Sequence, residues 1–377
     1  MPDTKRNLQS NEAVSAVGGS QEALAITPAP QSLEGMIQRK KDHIDHVLTQ
    51  RAEGLPLSDF DSIRLPHDAL PDVDFEGGID LSTRFLGRQL QRPFLISSMT
   101  GGPEKAEEIN THLAEAANVL GLAMGVGSQR VALFGKDPNL GKAGLEGRIR
   151  KLIGSQPLFA NLGAVQLLEG DGVSMARRAV DSLEADALIL HLNPMQEIMQ
   201  DGGDINWRGV AAKMEQLIGV IGVPVIAKEV GFGLSAAVAF RLQDMGVAAL
   251  DVAGKGGTNF GLVEGVRSTD PDKTELSNLF ADWGLTTVEA LREIKANPAI
   301  SLPLIASGGI RHGLDGAKSI ALGATLIGQA GPVLAAALQS TDAVLAHFAA
   351  MESALKTALF GTGSANLADF QTRCGLL

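Results

Sequence analysis

The sequence predicts an α/β protein, a TIM (β/α)8 barrel with an N-terminal extension. Three observations carry this. Eight short apolar segments recur along the chain, each with few internal charges, as parallel strands buried on both faces require. Amphipathic stretches separate them, and polar residues gather at one end of the apolar segments. Eight repeats in one direction favour a closed barrel, with a doubly wound sheet as the competing arrangement.

Residues Met1 to about Leu33 are rich in Ser, Gln, Asn, Ala and Pro without helical period, and read as a tail. From Met36, "MIQRKKDHIDHVL" sets Met36, Ile37, Ile44, Val47 and Leu48 on a helical stripe, with Arg39, Lys40 and Lys41 in one turn. A loop-like stretch runs to Arg92. The expected strands are "FLISSM" at Phe94, "GLAMG" at Gly121, "LFANL" at Leu158, "ALILHL" at Ala187, "PVIAKE" at Pro224, "ALDV" at Ala249, "LIASGG" at Leu304 and "ATLIGQ" at Ala324. Helices fill the gaps. "PEKAEEINTHLAEAANVL" places Pro103 in its first turn and repeats Ile109, Leu113, Ala116 and Leu120, while "LSAAVAFRLQDMG" closes on Gly246. "TTVEALREIKAN" carries a Thr cap. The expected organisation is a tail at 1–33, a helical and loop segment at 34–93, the barrel at 94–345 and a C-terminal helical segment at 346–377.

Composition bounds the function. The 377 residues are 45% hydrophobic and carry a net charge of −11, which argues against nucleic acid and anionic membranes as partners. One cysteine, Cys374, precludes a disulfide within the chain and points to a reducing cytoplasm. The N-terminus lacks the apolar core of a signal peptide, and no uninterrupted membrane span is evident. The 44 glycines suit loops in which backbone approaches a ligand.

In such barrels the site forms where the strands end. Those ends read "SSMTGG", "GVGSQR", Asn161, "HLNPMQE", Lys228-Glu229, "GKGGT", "SGGIR" and "GQAG". The stretch "ASGGIRHGLDGAKSIALGA" followed by "LIGQA" has the character of a phosphate cradle: glycines let N–H groups approach an anion, and Arg311 adds charge. Two Gly-rich turns with nothing bound are the bland alternative. The cradle suits a mononucleotide, a sugar phosphate or a flavin mononucleotide; P-loop and dinucleotide spacings are absent. Lys228 ends an apolar strand, which requires an anionic or electron-rich partner, a salt bridge to a rim carboxylate, or Schiff-base chemistry. Glu197 is a single carboxylate suited to Mg²⁺ rather than zinc, or else a helix cap. His191 and Asn193, two apart, point the same way on extended chain. Gln196 reads as a positioning amide.

Assembled in this order, "RKKDH", "SMTGG", "GSQR", "HLNPMQE", "KEVGFG", "GKGGT", "DWGLTT" and "SGGIRHGLDGAKSIALGA" resemble the type 2 isopentenyl-diphosphate isomerases, a flavin-dependent family, from about Met36 to Leu338. "HLNPMQE" with an N-terminal "RKKDH" is the specific part. The resemblance implies interconversion of isopentenyl and dimethylallyl diphosphate by proton transfer. It also implies reduced FMN, NADPH as reductant, Mg²⁺ and a homotetramer or homo-octamer. By the same resemblance, Gln196 and His191 are catalytic. Arg39, Lys40, Ser128, Gln129, Arg130, His191, Asn193 and Gln196 bind substrate, and Glu197 binds metal. FMN contacts fall to Ser98, Met99, Thr100, Ser128, Asn161 and Lys228, then to Thr258, Gly309, Ile310, Arg311, Ala330 and Gly331. Lys228 near the ring stabilises the anionic reduced flavin. If Arg39 and Lys40 come from outside the barrel, they could fold over the diphosphate as a lid. Two rivals stand beside this reading: a flavin 2-hydroxy-acid dehydrogenase or oxidase using Arg311 and His312, and a phosphate-ligand binding barrel without catalysis.

Overall fold

The computed structural model describes residues 33–52, 58–98, 104–134 and 145–375. The expected tail at 1–33 lies, but for its last residue, outside the described residues, as do Met99 and Thr100 and the side chains of Met36, Val47 and Leu48. Ten strands are found among the described residues: β1 (Thr83–Phe85), β2 (Arg88–Leu90), β3 (Phe94–Ile96), β4 (Ala123–Gly125), β5 (Leu158–Gly163), β6 (Ala187–Leu192), β7 (Val225–Glu229), β8 (Ala249–Asp251), β9 (Leu304–Ala306) and β10 (Leu326–Gln329). β3 to β10 close into one barrel, each parallel to its neighbours, with β10 returning to β3. Every segment read as a strand from the sequence is one of these eight. Closure also excludes the doubly wound alternative.

Side chains alternate along a strand, so one set faces the barrel axis. Leu95, Ala123, Phe159, Ile189, Ile226, Ala249, Ile305 and Leu326 form that inner apolar layer, one from each strand. Two residues further on, the same faces carry Ser97, Gly125, Asn161, His191, Lys228, Asp251, Ser307 and Gly328. The axis therefore changes from hydrocarbon to polar in a single step. This is the floor of the site.

The opposite end is closed by β1 and β2, an antiparallel hairpin in the stretch read as loop-like. Its two-residue turn, Leu86-Gly87, has φ of 46° and 78°, the mirror-image geometry that matches strand twist. Leucine in place of the usual Asn or Asp hides that turn in the sequence. Phe85 and Leu90 are fully buried beneath the barrel, and Phe85 leans on Phe159 at 6.1 Å.

Helices pack outside the barrel. Thr286 caps helix Thr287–Ala296 in a reciprocal box with Glu289, and Gly246, at φ 88°, follows helix Ala236–Asp244 as its stop. The expected boundary at 345/346 falls inside one continuous helix, Thr341–Gly361, and is corrected accordingly. That helix is long and apolar enough by composition to cross a bilayer, but it buries Val344, Phe348, Met351, Leu355 and Leu359 at three- and four-residue spacing in the core shared with the barrel. Its burial pattern is that of a core helix. At the other rim, helix α1 (Leu33–Ala52) presents Arg39, Lys40, His43 and Ile44 on one face towards the barrel mouth.

Candidate active site

A cavity of about 790 Å³ opens at the C-terminal ends of the strands. That volume lies in the range of ligand pockets, roughly 300–1,000 Å³. Arg39 and Lys40 from α1, Ser128 and Arg130 after β4, Asn161 from β5, His191 from β6, Asn193, Gln196 and Glu197 after it and Lys228 from β7 line it together. So do Thr258, Gly309, Ile310, Arg311, Ala330 and Gly331. Nearly every residue proposed from the sequence thus falls in one place. Gln129 does not. Its amide donates to Ala179 O at 3.1 Å and to Ser182 Oγ at 3.2 Å, while its Oε1 accepts from Asn161 N–H at 3.0 Å. It braces β5 from behind, because its neighbours Ser128 and Arg130 take the cavity side.

The side chains of "HLNPMQE" are locked by a run of hydrogen bonds. Asn161 Nδ2 donates to Val126 O at 3.0 Å, so its Oδ1 is left to accept, and His191 Nδ1 approaches it at 2.9 Å. The imidazole proton therefore sits on Nδ1. Burial, with the cations of Lys228, Lys40, Arg39 and Arg130, pushes the His191 imidazolium down to about 3, so the ring is neutral. Asn193 was expected to hold the anion. Its Nδ2 instead donates to Glu197 Oε1 at 2.8 Å and Gln196 Oε1 at 3.2 Å, which leaves its buried Oδ1 as an unpartnered acceptor. That oxygen repels phosphate and suits a cation or a cation-bound water.

Glu197 is 3% exposed. Its Oε2 accepts the Asp204 N–H at 2.8 Å, and burial raises its pKa against that bond and the one from Asn193. No cluster of three His, Cys, Asp or Glu that could hold a metal exists among the described residues. An ion here would rest on one carboxylate, the Asn193 oxygen, water and substrate phosphates, which fits Mg²⁺ and not zinc.

Glu264, on helix Phe260–Arg267, holds the Gln196 side chain and was not singled out from the sequence. It is 1% exposed and accepts three donors: His43 Nε2 at 2.8 Å, Gln196 Nε2 at 3.1 Å and Arg267 Nη1 at 2.8 Å. Burial alone would raise its carboxyl, but the bond and charge of His43, with Arg39 and Arg267, hold it down at about 2. An acid amid "FGLVEGVR" was the available signal. Because Glu264 only accepts, the Gln196 amide has one orientation, with both ends occupied.

The cations at the mouth are embedded among acceptors. Lys40 Nζ donates to Ser128 O at 2.7 Å, and Arg130 pairs with Glu169 at 2.7 Å and Asp204 at 3.0 Å. Burial lowers the Arg39 pKa, and the charges of Glu264 and Glu197 oppose that shift. Arg311 departs from its expected role: its guanidinium faces Asp315 at 2.8 Å and Asp61 at 2.5 Å, so its charge is spent on carboxylates. This pair, with Lys318 Nζ on Phe60 O at 2.7 Å, pins the short helix Asp59–Ser62 to the rim.

Backbone supplies the rest of the phosphate-side surface. A Cβ on Gly308 would lie 2.2 Å from Gly254 O, and one on Gly257 2.9 Å from Gly309 N, so two glycine loops pack directly together. Ser97 Oγ and Ser98 Oγ are buried, line the cavity and have no hydrogen-bond partner. Beside β7, Glu229 Oε2 gathers the N–H groups of Val230, Gly231 and Phe232 at 2.5–2.8 Å and shapes the next loop, while burial pushes its carboxyl up to about 7. Orphaned hydroxyls, glycine loops and a floor lysine match a flavin mononucleotide, whose carbonyls, ribityl hydroxyls and phosphate need such groups.

Comparison with known proteins places the chain in the same class. Residues 175–375 match the FMN-dependent dehydrogenase family. The fold is shared with mandelate oxidase structures, among them one with a monooxide FMN adduct, at a TM-score of 0.62, 18% identity and coverage of 89% of this chain and 98% of that one. At that identity the likeness concerns the fold alone. The chain belongs more narrowly to the isopentenyl-diphosphate delta-isomerase family. It is 54% identical over 334 residues to the Xanthobacter autotrophicus enzyme, covering 88% of this chain and 95% of that one. The Cronobacter sakazakii relative is 53% identical (88% and 94% covered) and a Synechocystis relative 49% identical (87% and 93% covered).

Proposed function

We propose that this protein interconverts isopentenyl diphosphate and dimethylallyl diphosphate with reduced FMN and Mg²⁺. Family membership supports the reaction. The observation that carries the site assignment is that Arg39, Lys40, Gln196 and Glu197 share one cavity with the glycine loops and Lys228. A diphosphate at the α1 mouth meets the cations, and its five-carbon tail then extends towards the floor. The double bond moves when one proton arrives at the terminal carbon and another leaves the carbon nearer the diphosphate. Reduced FMN, when bound, supplies the acid and base beside the alkene. Gln196, held by Glu264 and Asn193, fixes the alkene's position and is a positioning amide, since an amide is a poor acid or base at neutral pH. Glu197 and Asn193 Oδ1 would hold Mg²⁺ against the phosphate oxygens, neutralising charge that Arg39, Lys40 and Arg130 do not. His191, neutral, offers a hydrogen bond without adding charge. Ser98, Ser128, Asn161, Thr258, Gly309, Ile310, Ala330 and Gly331 would border the flavin.

The 2-hydroxy-acid oxidase reading needs an arginine free to clamp a carboxylate near β9. Arg311 is occupied by two aspartates, and His312 points outward with its side chain 54% exposed. NADPH as the reductant and a cytoplasmic setting belong to this reading. So does a homotetramer or homo-octamer, supported by the exposed Ile198, Ile205, Val266, Leu279 and Trp283 on neighbouring segments. The test is direct: FMN-loaded protein, reduced anaerobically, should isomerise isopentenyl diphosphate only with Mg²⁺. Oxidation of a 2-hydroxy acid with no turnover of the diphosphate would overturn the proposal.

A further inference from the structure

The polar floor holds a buried ion pair that the reaction as described does not use. Lys228 and Asp251 are register partners on β7 and β8, and both belong to the inward-facing layer. Asp251 is 1% exposed. Its Oδ1 accepts Ser307 Oγ at 2.5 Å, whereas its Oδ2 lies 3.6 Å from Lys228 Nζ and has no hydrogen-bond partner. Lys228 Nζ donates to Glu229 O at 2.8 Å and lines the cavity, but Asp251 lies beneath it. The arrangement is lopsided. Ser307 holds one carboxylate oxygen closely, so Asp251 stands near the ammonium without a direct hydrogen bond to it. On the strand beside it His191 is neutral, and the adjacent Glu229 turns its carboxyl to backbone N–H groups.

We propose that Asp251, restrained by Ser307, is a positioning residue that sets how much positive charge Lys228 presents to the flavin ring. A lysine against the ring favours the anionic reduced flavin, and a carboxylate directly below subtracts from that preference. Ser307 limits the subtraction by keeping the carboxylate off the ammonium. The device rests on the flavin reading above, and deepens it by assigning the balance between the oxidised and reduced cofactor to a residue that touches neither cofactor nor substrate.

The experiment compares FMN-loaded wild type, Asp251→Asn, Ser307→Ala and Lys228→Met at pH 7. Oxidised FMN takes up two electrons from dithionite and one proton to give the anionic reduced form, and the midpoint potential reports the ratio of oxidised to reduced dissociation constants. Asp251→Asn should shift that ratio at least tenfold towards reduced FMN, a rise of about 30 mV for two electrons. Ser307→Ala, which releases the carboxylate to pair with Lys228, should shift it the opposite way by a smaller factor, and Lys228→Met, which removes the cation itself, should shift it that way by a larger one. A merely structural role would move the first two variants in the same direction. That result, or an unchanged potential in Asp251→Asn, overturns the proposal. If Asp251→Asn does not fold, an unchanged or raised potential in Ser307→Ala does so. Wild type that binds no FMN would instead defeat the flavin reading.

Discussion

Replacing Glu264 with glutamine removes an acceptor that three donors share. Glutamine keeps one acceptor oxygen and presents an NH₂ where the other stood, so either Arg267 or the His43–Gln196 pair meets a donor. Arg267 retains Asp42 at 2.7 Å, which softens the loss on that side. A carboxyl held at about 2 instead of 4.5 contributes about 3 kcal/mol to folding at neutral pH. The sign follows from the depressed value. The contribution is complete above about pH 4.5 and fades as the pH falls towards 2, where the folded carboxylate is protonated too. The Glu264→Gln variant cannot titrate there. Denaturant midpoints at pH 7, 5, 4 and 3 should therefore show a gap between wild type and variant that is largest at pH 7 and narrows steadily below pH 4.5. At pH 7 the freed Gln196 amide and the loosened α1 should raise the diphosphate KM about tenfold, on the scale of one charged hydrogen bond. Parallel stability curves, or a gap that widens on acidification, would refute the reasoning.

Other substitutions probe separate parts. Glu197→Gln should raise the Mg²⁺ concentration needed for half-maximal rate while leaving FMN affinity unchanged; loss of FMN would make Glu197 scaffold. Leu90→Ala, at a side chain with no exposure, should cost about 2–5 kcal/mol in denaturant unfolding with KM intact. Gly308→Ala puts a Cβ against Gly254 O at a φ of 90°, and should weaken FMN binding measured by fluorescence quenching far more than it changes KM. In ligand-free protein, ¹⁵N spectra of His191 should show the neutral Nδ1–H form from pH 8 down to about pH 4, and a transition near 6.5 would contradict the hydrogen-bond assignment.

The barrel was legible because doubly buried parallel strands write themselves as short apolar runs, from "FLISSM" to "ATLIGQ". Most of the site followed, since strand ends in a closed barrel must share a rim. What was hidden depended on partners far apart in the chain. Glu264 meets His43 across 221 residues, and Arg311 meets Asp61 across 250, so no local spacing announces either pair. Gln129 and Asn193 were misjudged for another reason. A motif identifies polar side chains but not which of their atoms are already engaged, and in both cases the amide's donors turn to protein. The β1–β2 hairpin escaped because Leu86 adopts a backbone conformation usually signalled by Asn, Asp or Gly.

The hairpin beneath the barrel has a kinetic consequence. With Phe85 and Leu90 buried at the far end, the described cavity opens at the rim beside α1. On the proposed function, a diphosphate with its ion would sit in that passage. An external electron donor would then come and go before the substrate arrives, and isotopic exchange between the floor and bulk water should slow while the diphosphate is seated. Order of addition would then follow from the fold as well as from the chemistry.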